Sequence, residues 1–431
     1  MKKSKFIKSS IILIIGGFIT KVLGMTVKIV LTRKIGIETL GLYTLILPTY
    51  LLIISLAEYS LPTALNVLIA TKKYNNKNLL ITSLIISFIL DFIIMLIFIL
   101  GSKYIAINLL NQEILTIPLI LLTLTLPFIT TSNIFRSYYF AKERMLPHTI
   151  SNILEDLIKL FLIIFFIDQF KNNIAIISFI ILTNIASELS SILIFLFKAP
   201  KYTIYKDDIK INKKNVKALF NIATPTTLSR LIGSITYFLE PIILTLVLTK
   251  QGFTSNYITI NYGIINGYVL PLILLPSFFT AAISQALIPI VSEFYTKKNY
   301  LAIKRKIKQA MIISLIIGLS YTLIILTKGN FLLELIYNTN KGQDYLKFIA
   351  PIFILHYLEH PLLSSLQAMK SAKTNLFISL VNLFIRTVLL FIILEFKIGF
   401  YALLITLSLN IIFTCLYSGY KVNKLLQKKI S

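Results

Sequence analysis

Three groups of residues in this chain have types and spacings that could do chemistry. On the opening apolar run, Ser10 to Leu31, residues Gly17, Lys21, Gly24 and Lys28 recur at steps of four, three and four, placing two amines on one helix face. A lysine at the bilayer midplane costs from about 3 kcal/mol upward, so Lys21 is expected to line a water-filled cavity. Lys28 stays open between that role and snorkelling to the interface. The second group, His148, Asn152, Glu155 and Lys159, is a polar stripe at helical spacing, with Glu155 and Lys159 placed for a local ion pair. The third, His356-Tyr357-Leu358-Glu359-His360, fits the H-x-x-E-H pattern of certain zinc peptidases. That chemistry needs a further ligand and a wet cleft, and here the motif lies inside an apolar run. No metal is expected; the residues read as a polar patch lining a cavity and able to exchange a proton.

The elements that must position these groups are membrane helices. The chain is 56% hydrophobic, with a mean hydropathy of +0.83, the signature of a polytopic membrane protein. Apolar segments of spanning length fall at 10–31, 41–70, 79–100, 115–140, 147–167, 173–197, 218–248, 257–290, 307–327, 345–369, 375–396 and 399–419. Pro62 in the second segment and Pro271 and Pro276 in the eighth predict kinks or broken turns.

The net charge of +26 invites a nucleic-acid reading, but its distribution argues otherwise. Connecting segments alternate between strongly basic and sparse, from Lys2, Lys3, Lys5 and Lys8 onward. This alternation places both termini in the cytoplasm, with the basic loops against anionic headgroups of membrane lipids. No nucleic-acid partner is needed. The single cysteine, Cys415, excludes an internal disulfide and a cysteine-rich metal site. No nucleotide-binding motif is present, so ATP hydrolysis is not expected.

The longest polar stretch between helices, 198–217, reads as a cytoplasmic linker between an N-terminal six-helix lobe, 1–197, and a C-terminal six-helix lobe with a basic tail, 218–431. The halves repeat. Thr20-Lys21-Val22-Leu23-Gly24 returns as Ser229-Arg230-Leu231-Ile232-Gly233, and the fourth and fifth segments match the tenth and eleventh without a gap. That match sets Ala141 on Ala368 and Lys159 on Arg386, and turns the His148 stripe into Asn375, Ser379, Asn382 and Arg386. The expected fold is all-α and polytopic, about 12 transmembrane helices in two parallel six-helix repeats around a central cavity.

Charges that hydrocarbon would reject fall in both halves: Lys21, Lys28, Asp91, Glu155, Asp156, Lys159 and Glu188 in the first, Arg230, Glu240, His356, Glu359, His360 and Arg386 in the second. Glu240 and Arg386 could pair between helices, and Asp91 and Glu188 read as neutralised within the bundle. Cations at matching positions predict a basic cavity bounded by Lys21, Lys159, Arg230 and Arg386, suited to phosphate oxygens. Lys28 aligns with Tyr237 and gains no support from the repeat. Glu155, Glu240, His356, Glu359 and His360 are the candidate coupling or gating groups.

Thr20 to Gly41, TKVLGMTVKIVLTRKIGIETLG, resembles the opening of stage V sporulation protein B-like members of the multidrug/oligosaccharidyl-lipid/polysaccharide (MOP) flippase superfamily. Phe135 to Lys159, FRSYYFAKERMLPHTISNILEDLIK, and Leu275 to Glu293, LPSFFTAAISQALIPIVSE, do the same. The resemblance implies a monomeric transporter of the bacterial plasma membrane, not an enzyme. It would flip a polyprenyl-diphosphate-linked saccharide by alternating access, with cell-wall or polysaccharide synthesis enzymes as neighbours. It implies no cofactor beyond coupling to a proton, sodium or the membrane potential. The family's basic residue of the first helix carries over to Lys21 and its acid of the seventh to Glu240. Some members bind sodium with a carboxylate on the eleventh helix, and Arg386 stands about there, a tethered cation in the ion's place. The alternative within the superfamily is a MATE-like drug or organic-cation antiporter, which predicts a net acidic cavity. A lipid-linked sugar transferase would need extracytoplasmic carboxylates, and the longest outer loop, 328–344, offers only Glu334 and Asp344.

Overall fold

The computed structural model describes residues 2–198 and 212–430, with the side chains of 2–11, 13, 14, 372 and 428–430 excepted. Residues 199–211 of the linker at 198–217, and the side chains of Lys2, Lys3, Lys5 and Lys8, lie outside the described set. Every described element is helical. Two compact units divide the chain, Met1–Phe238 and Leu239–Ser431.

The first unit begins with α1 (Lys2–Lys34), α2 (Ile37–Glu58), α3 (Leu61–Ala70) and α4 (Asn76–Tyr104). It continues with α5 (Thr116–Leu124), α6 (Leu126–Ala141), α7 (Met145–Phe166) and α8 (Asn173–Phe197), and takes in the first part of α9 (Lys213–Lys250). The second holds the rest of α9, then α10 (Ser255–Gly263), α11 (Leu270–Ile273), α12 (Ser277–Thr296) and α13 (Tyr300–Tyr337). After these come α14 (Gln343–Ala368), α15 (Ala372–Phe384), α16 (Leu390–Leu394) and α17 (Tyr401–Ile430).

All twelve segments read from the sequence are helical, and among the described residues 11 helices are long and apolar enough to cross a membrane. Helix α7 is missing from that set because Glu155, Asp156 and Lys159 sit together in it. The proline breaks fall where expected. Helix α2 stops at Glu58, Tyr59 and Ser60 take left-handed φ of 46° and 48°, and α3 restarts with Pro62 in its first turn, where a missing N–H costs nothing. In the eighth segment a π-turn, Ile264–Val269, leads into the short α11, and Pro276 precedes α12.

Non-helical backbone inside a membrane span must find partners within the protein. At the second break, Tyr321 donates its hydroxyl to the Leu272 carbonyl at 2.8 Å, and Tyr357 donates to the Ile273 carbonyl at 2.6 Å. Tyr357 is fully buried, and a Cβ added at Gly318 of α13 would meet its ring at 2.5 Å. Gly318→Leu should therefore destabilise the second unit by about 1–3 kcal/mol, read as a lower melting temperature in detergent. An unchanged melting temperature would show that the ring can move aside.

In the first unit α1 lies along α7, α7 against α8, and α3 against α6. Its core joins Leu61 and Leu65 of α3, Leu79 of α4, Tyr138 and Tyr139 of α6, Phe195 of α8, and Leu219 and Ala223 of α9. In the second, α14 packs against α12, α13 and α17 around Val291, Ile303 and Leu366.

The ungapped match between the halves extends to the backbone. The turn from α6 to α7 closes with Arg144 N–H on the Tyr139 carbonyl at 3.0 Å, and that from α14 to α15 with Ser371 N–H on Leu366, also 3.0 Å. Each holds one left-handed residue, Glu143 at φ 56° and Lys370 at φ 59°. Lys72 and Lys298, just beyond α3 and α12, adopt the same conformation, each at φ 57°.

Candidate functional site

The first unit collects its intramembrane charge into one network. Glu155 of α7 accepts from Lys159 Nζ at 2.7 Å, the local pair expected from their spacing. The same carboxylate is bonded by Arg136 of α6, whose guanidinium also reaches Glu188 of α8 at 3.0 Å and the Ser191 hydroxyl at 3.1 Å. Arg136 donates to Asn133 as well, at 3.2 Å, and Asn133 donates to Glu58 at the end of α2. Glu58 in turn holds Arg230 of α9 at 2.8 Å. Three cations and three carboxylates are thus joined across five helices, which neutralises charges that hydrocarbon would reject singly.

Glu188 is neutralised within the bundle, as expected. Asp91 accepts hydroxyl bonds from Thr130 at 2.7 Å and Ser87 at 3.4 Å and has no cation partner among the described residues.

Two links of the network, Glu58 and Arg136, are absent from the charges singled out in the sequence. Both lie inside segments read as spanning, 41–70 and 115–140, so a full inventory of charges within the spans finds them.

Lys21 and Lys28 stand apart. Both are exposed on α1, and neither has an ion-pair partner among the described residues. The Asp156 carboxylate of α7 lies 4.0 Å from where a Cβ on Gly24 would be, at a level between the two amines. Arg230, with its side chain 37% exposed, is only partly covered by Glu58.

In the second unit Arg386 bonds Glu240, which is 1% exposed, and Tyr262 donates to the same carboxylate at 3.4 Å. Arg386 sits in a π-turn, Ile385–Leu389, one of the irregular turns that recur at functional sites. On α14, His356 Nδ1 pairs with Glu359 Oε2 at 2.9 Å, and the rings of His356 and His360 are 5.3 Å apart. Glu359 and His360 line a cavity of about 450 Å³ together with the α15 stripe Asn375, Ser379 and Asn382. Two groups distinguished in the sequence, the H-x-x-E-H patch and the α15 stripe, therefore meet. Among the described residues no group of three or more His, Cys, Asp or Glu side chains could hold a metal ion.

A family model described as polysaccharide biosynthesis protein matches residues 6–295. The chain belongs to this family. A second model, MatE, matches residues 241–392. The chain is 31% identical over 408 residues to stage V sporulation protein B of Bacillus subtilis (strain 168), covering 91% of this chain and 78% of that protein. It is 25% identical over 377 residues to sporulation protein YkvU of the same organism, covering 86% and 84%. Its fold is that of an inward-facing multidrug resistance MATE family transporter of the MOP superfamily, at a TM-score of 0.77 with 95% of both chains covered and 14% identity. The resemblance read from 20–41, 135–159 and 275–293 is borne out.

Proposed function

We propose that the chain flips a polyprenyl-diphosphate-linked saccharide between membrane leaflets by alternating access of its two units. The observation that carries this reading is the pair Lys21 and Lys28, exposed on a membrane-spanning helix without a carboxylate partner among the described residues. Amines left uncompensated at that depth are suited to an anion. The polysaccharide biosynthesis family description supports the same reading, and the fold is one that transporters use. An organic-cation carrier would instead need a surplus of free carboxylates; Glu58, Glu155, Glu188 and Glu240 are each held by a cation, which leaves Asp91 on its hydroxyl partners and Asp156 beside α1.

On this reading Lys21 and Lys28 meet the diphosphate first, while its prenyl tail remains in lipid. Arg230 adds a guanidinium from its open side, and Lys159 joins only as substrate competes with Glu155. Neutralising the diphosphate lowers the cost of carrying it through the bilayer.

The test is a lipid-flip assay in proteoliposomes with Lys21→Gln combined with Lys28→Gln. Neither amine supports the fold through a pair, so the melting temperature should hold. Each charge-assisted contact is worth about 1.5–3 kcal/mol, so flipping should slow at least about tenfold. Normal flipping by this variant, or export of an organic cation by wild-type protein under an ion gradient, would overturn the proposal.

A further inference from the structure

The second unit holds a cavity that the ion network of the first unit would have filled. In the ungapped repeat, Arg136, Glu155 and Glu188 fall on Leu363, Asn382 and Cys415. The three charged side chains that close the space between α6, α7 and α8 are thus replaced by neutral ones between α14, α15 and α17. What remains there is the cavity of about 450 Å³, walled by Gln285, Asn375, Asn382 and Asn410, Ser and Thr hydroxyls, and Glu359 with His360.

Three buried atoms on this wall have no hydrogen-bond partner among the described residues: Glu359 Oε1, His360 Nε2 and Asn375 Oδ1. Glu359 is 8% exposed, and its other oxygen is held by His356. Leaving such groups unpaired is costly, so two acceptor oxygens and an imidazole nitrogen on one cavity mark a site for a ligand that forms hydrogen bonds. No lysine or arginine lines it, which disfavours a phosphate. A bare cation needs a close shell of about six to eight oxygens, and this space is far larger, at about 30 Å³ per water molecule. Carboxamides and hydroxyls each pair a donor with an acceptor, and so does every hydroxyl of a sugar. Gln285 is exposed, so the cavity communicates with its surroundings.

We infer that this cavity is a subsite for a neutral sugar ring, taken from the saccharide part of the substrate. The inference rests on the flippase reading for its source of sugar. The sugar ring belongs to the carboxamides of α12, α15 and α17, which are Gln285, Asn375, Asn382 and Asn410.

The experiment measures binding of undecaprenyl diphosphate, with and without one N-acetylglucosamine, to the full chain in lipid nanodiscs. Wild-type protein should prefer the sugar-bearing lipid by about tenfold, the return on two or three additional hydrogen bonds. Asn382→Leu with Asn410→Leu should bring that ratio to about one, and Gln285→Ala, at an exposed position, should lower it without a risk to folding. Lys21→Gln with Lys28→Gln should weaken both lipids and leave the ratio intact. A wild-type ratio of one overturns the sugar site, as does a ratio unmoved by the carboxamide variants. If sodium raises the melting temperature in a manner abolished by Glu359→Gln while sugars do nothing, the cavity is a cation site and the inference fails. Should neither lipid bind, the flippase reading fails instead, and the cavity is then read alone by saturation-transfer NMR with free N-acetylglucosamine and glucose. A signal lost in the carboxamide variant supports the subsite, and no signal overturns it.

Discussion

Arg136→Leu is expected to lose about 3–5 kcal/mol of stability, because it strands a buried carboxylate. Glu188 has Arg136 as its ion-pair partner, and Glu155 keeps only Lys159 once the guanidinium is gone. The loss should appear as a lower melting temperature and a smaller monodisperse fraction in detergent. Adding Glu188→Gln should recover much of it, because the stranded charge is removed while its shape stays. The second unit supplies the precedent, since Leu363, Asn382 and Cys415 occupy the same repeat positions without any charge. An exposed ion pair behaves differently, contributing about 0–1 kcal/mol and gaining nothing from a second neutralisation. A mild loss that Glu188→Gln leaves unchanged would show that Arg136 is not the hub of the network.

Arg386→Ala should cost a similar amount, about 3–5 kcal/mol, since Glu240 is almost wholly buried and keeps only the Tyr262 hydroxyl. Here the rescue should come from solution. If the guanidinium stands where some relatives hold sodium, the variant has a vacant place beside a carboxylate, and sodium chloride should raise its melting temperature more than the chloride of a large organic cation does. Wild-type protein should show no such preference, because the place is taken. Equal sodium responses in the two proteins would sink the idea of a tethered cation.

The fold was legible because the bilayer imposes a length and an apolarity that few other environments demand. The sixth segment, 173–197, coincides with α8, and the breaks follow from Pro62, Pro271 and Pro276. Pairs with a local or repeat-based signal were legible too: Glu155 with Lys159 by spacing, Glu240 with Arg386 by complementary charge on distant helices. The hub was not. Glu58 and Arg230 are far apart in the chain, and nothing local to either announces the other. Arg136 lies inside its span, but its repeat counterpart is the neutral Leu363, so the match between the halves that singled out Lys159 and Arg386 passes over it. The cavity was hidden for another reason. The polar stripe on α15 is visible in sequence, but an empty volume depends on how far Leu363 and its neighbours fill the space, which no spacing reveals.

The left-handed residues that close the turns carry one more implication, for how the chain enters the membrane. Glycine is the usual occupant just past a helix end, because any other L-residue costs about 1–2 kcal/mol in that conformation. Yet Lys72, Lys298 and Lys370 stand there, in connecting segments that the charge distribution predicts to be cytoplasmic, and Lys397 stands there too in a connection predicted to be outer. A glycine would ease the finished turn but would say nothing to the insertion machinery. Lysine carries a charge that resists translocation while the helices are still being threaded. For the three turns predicted to be cytoplasmic, replacing the lysine by glycine is therefore expected to ease the folded turn and to weaken the charge signal that orients the helices.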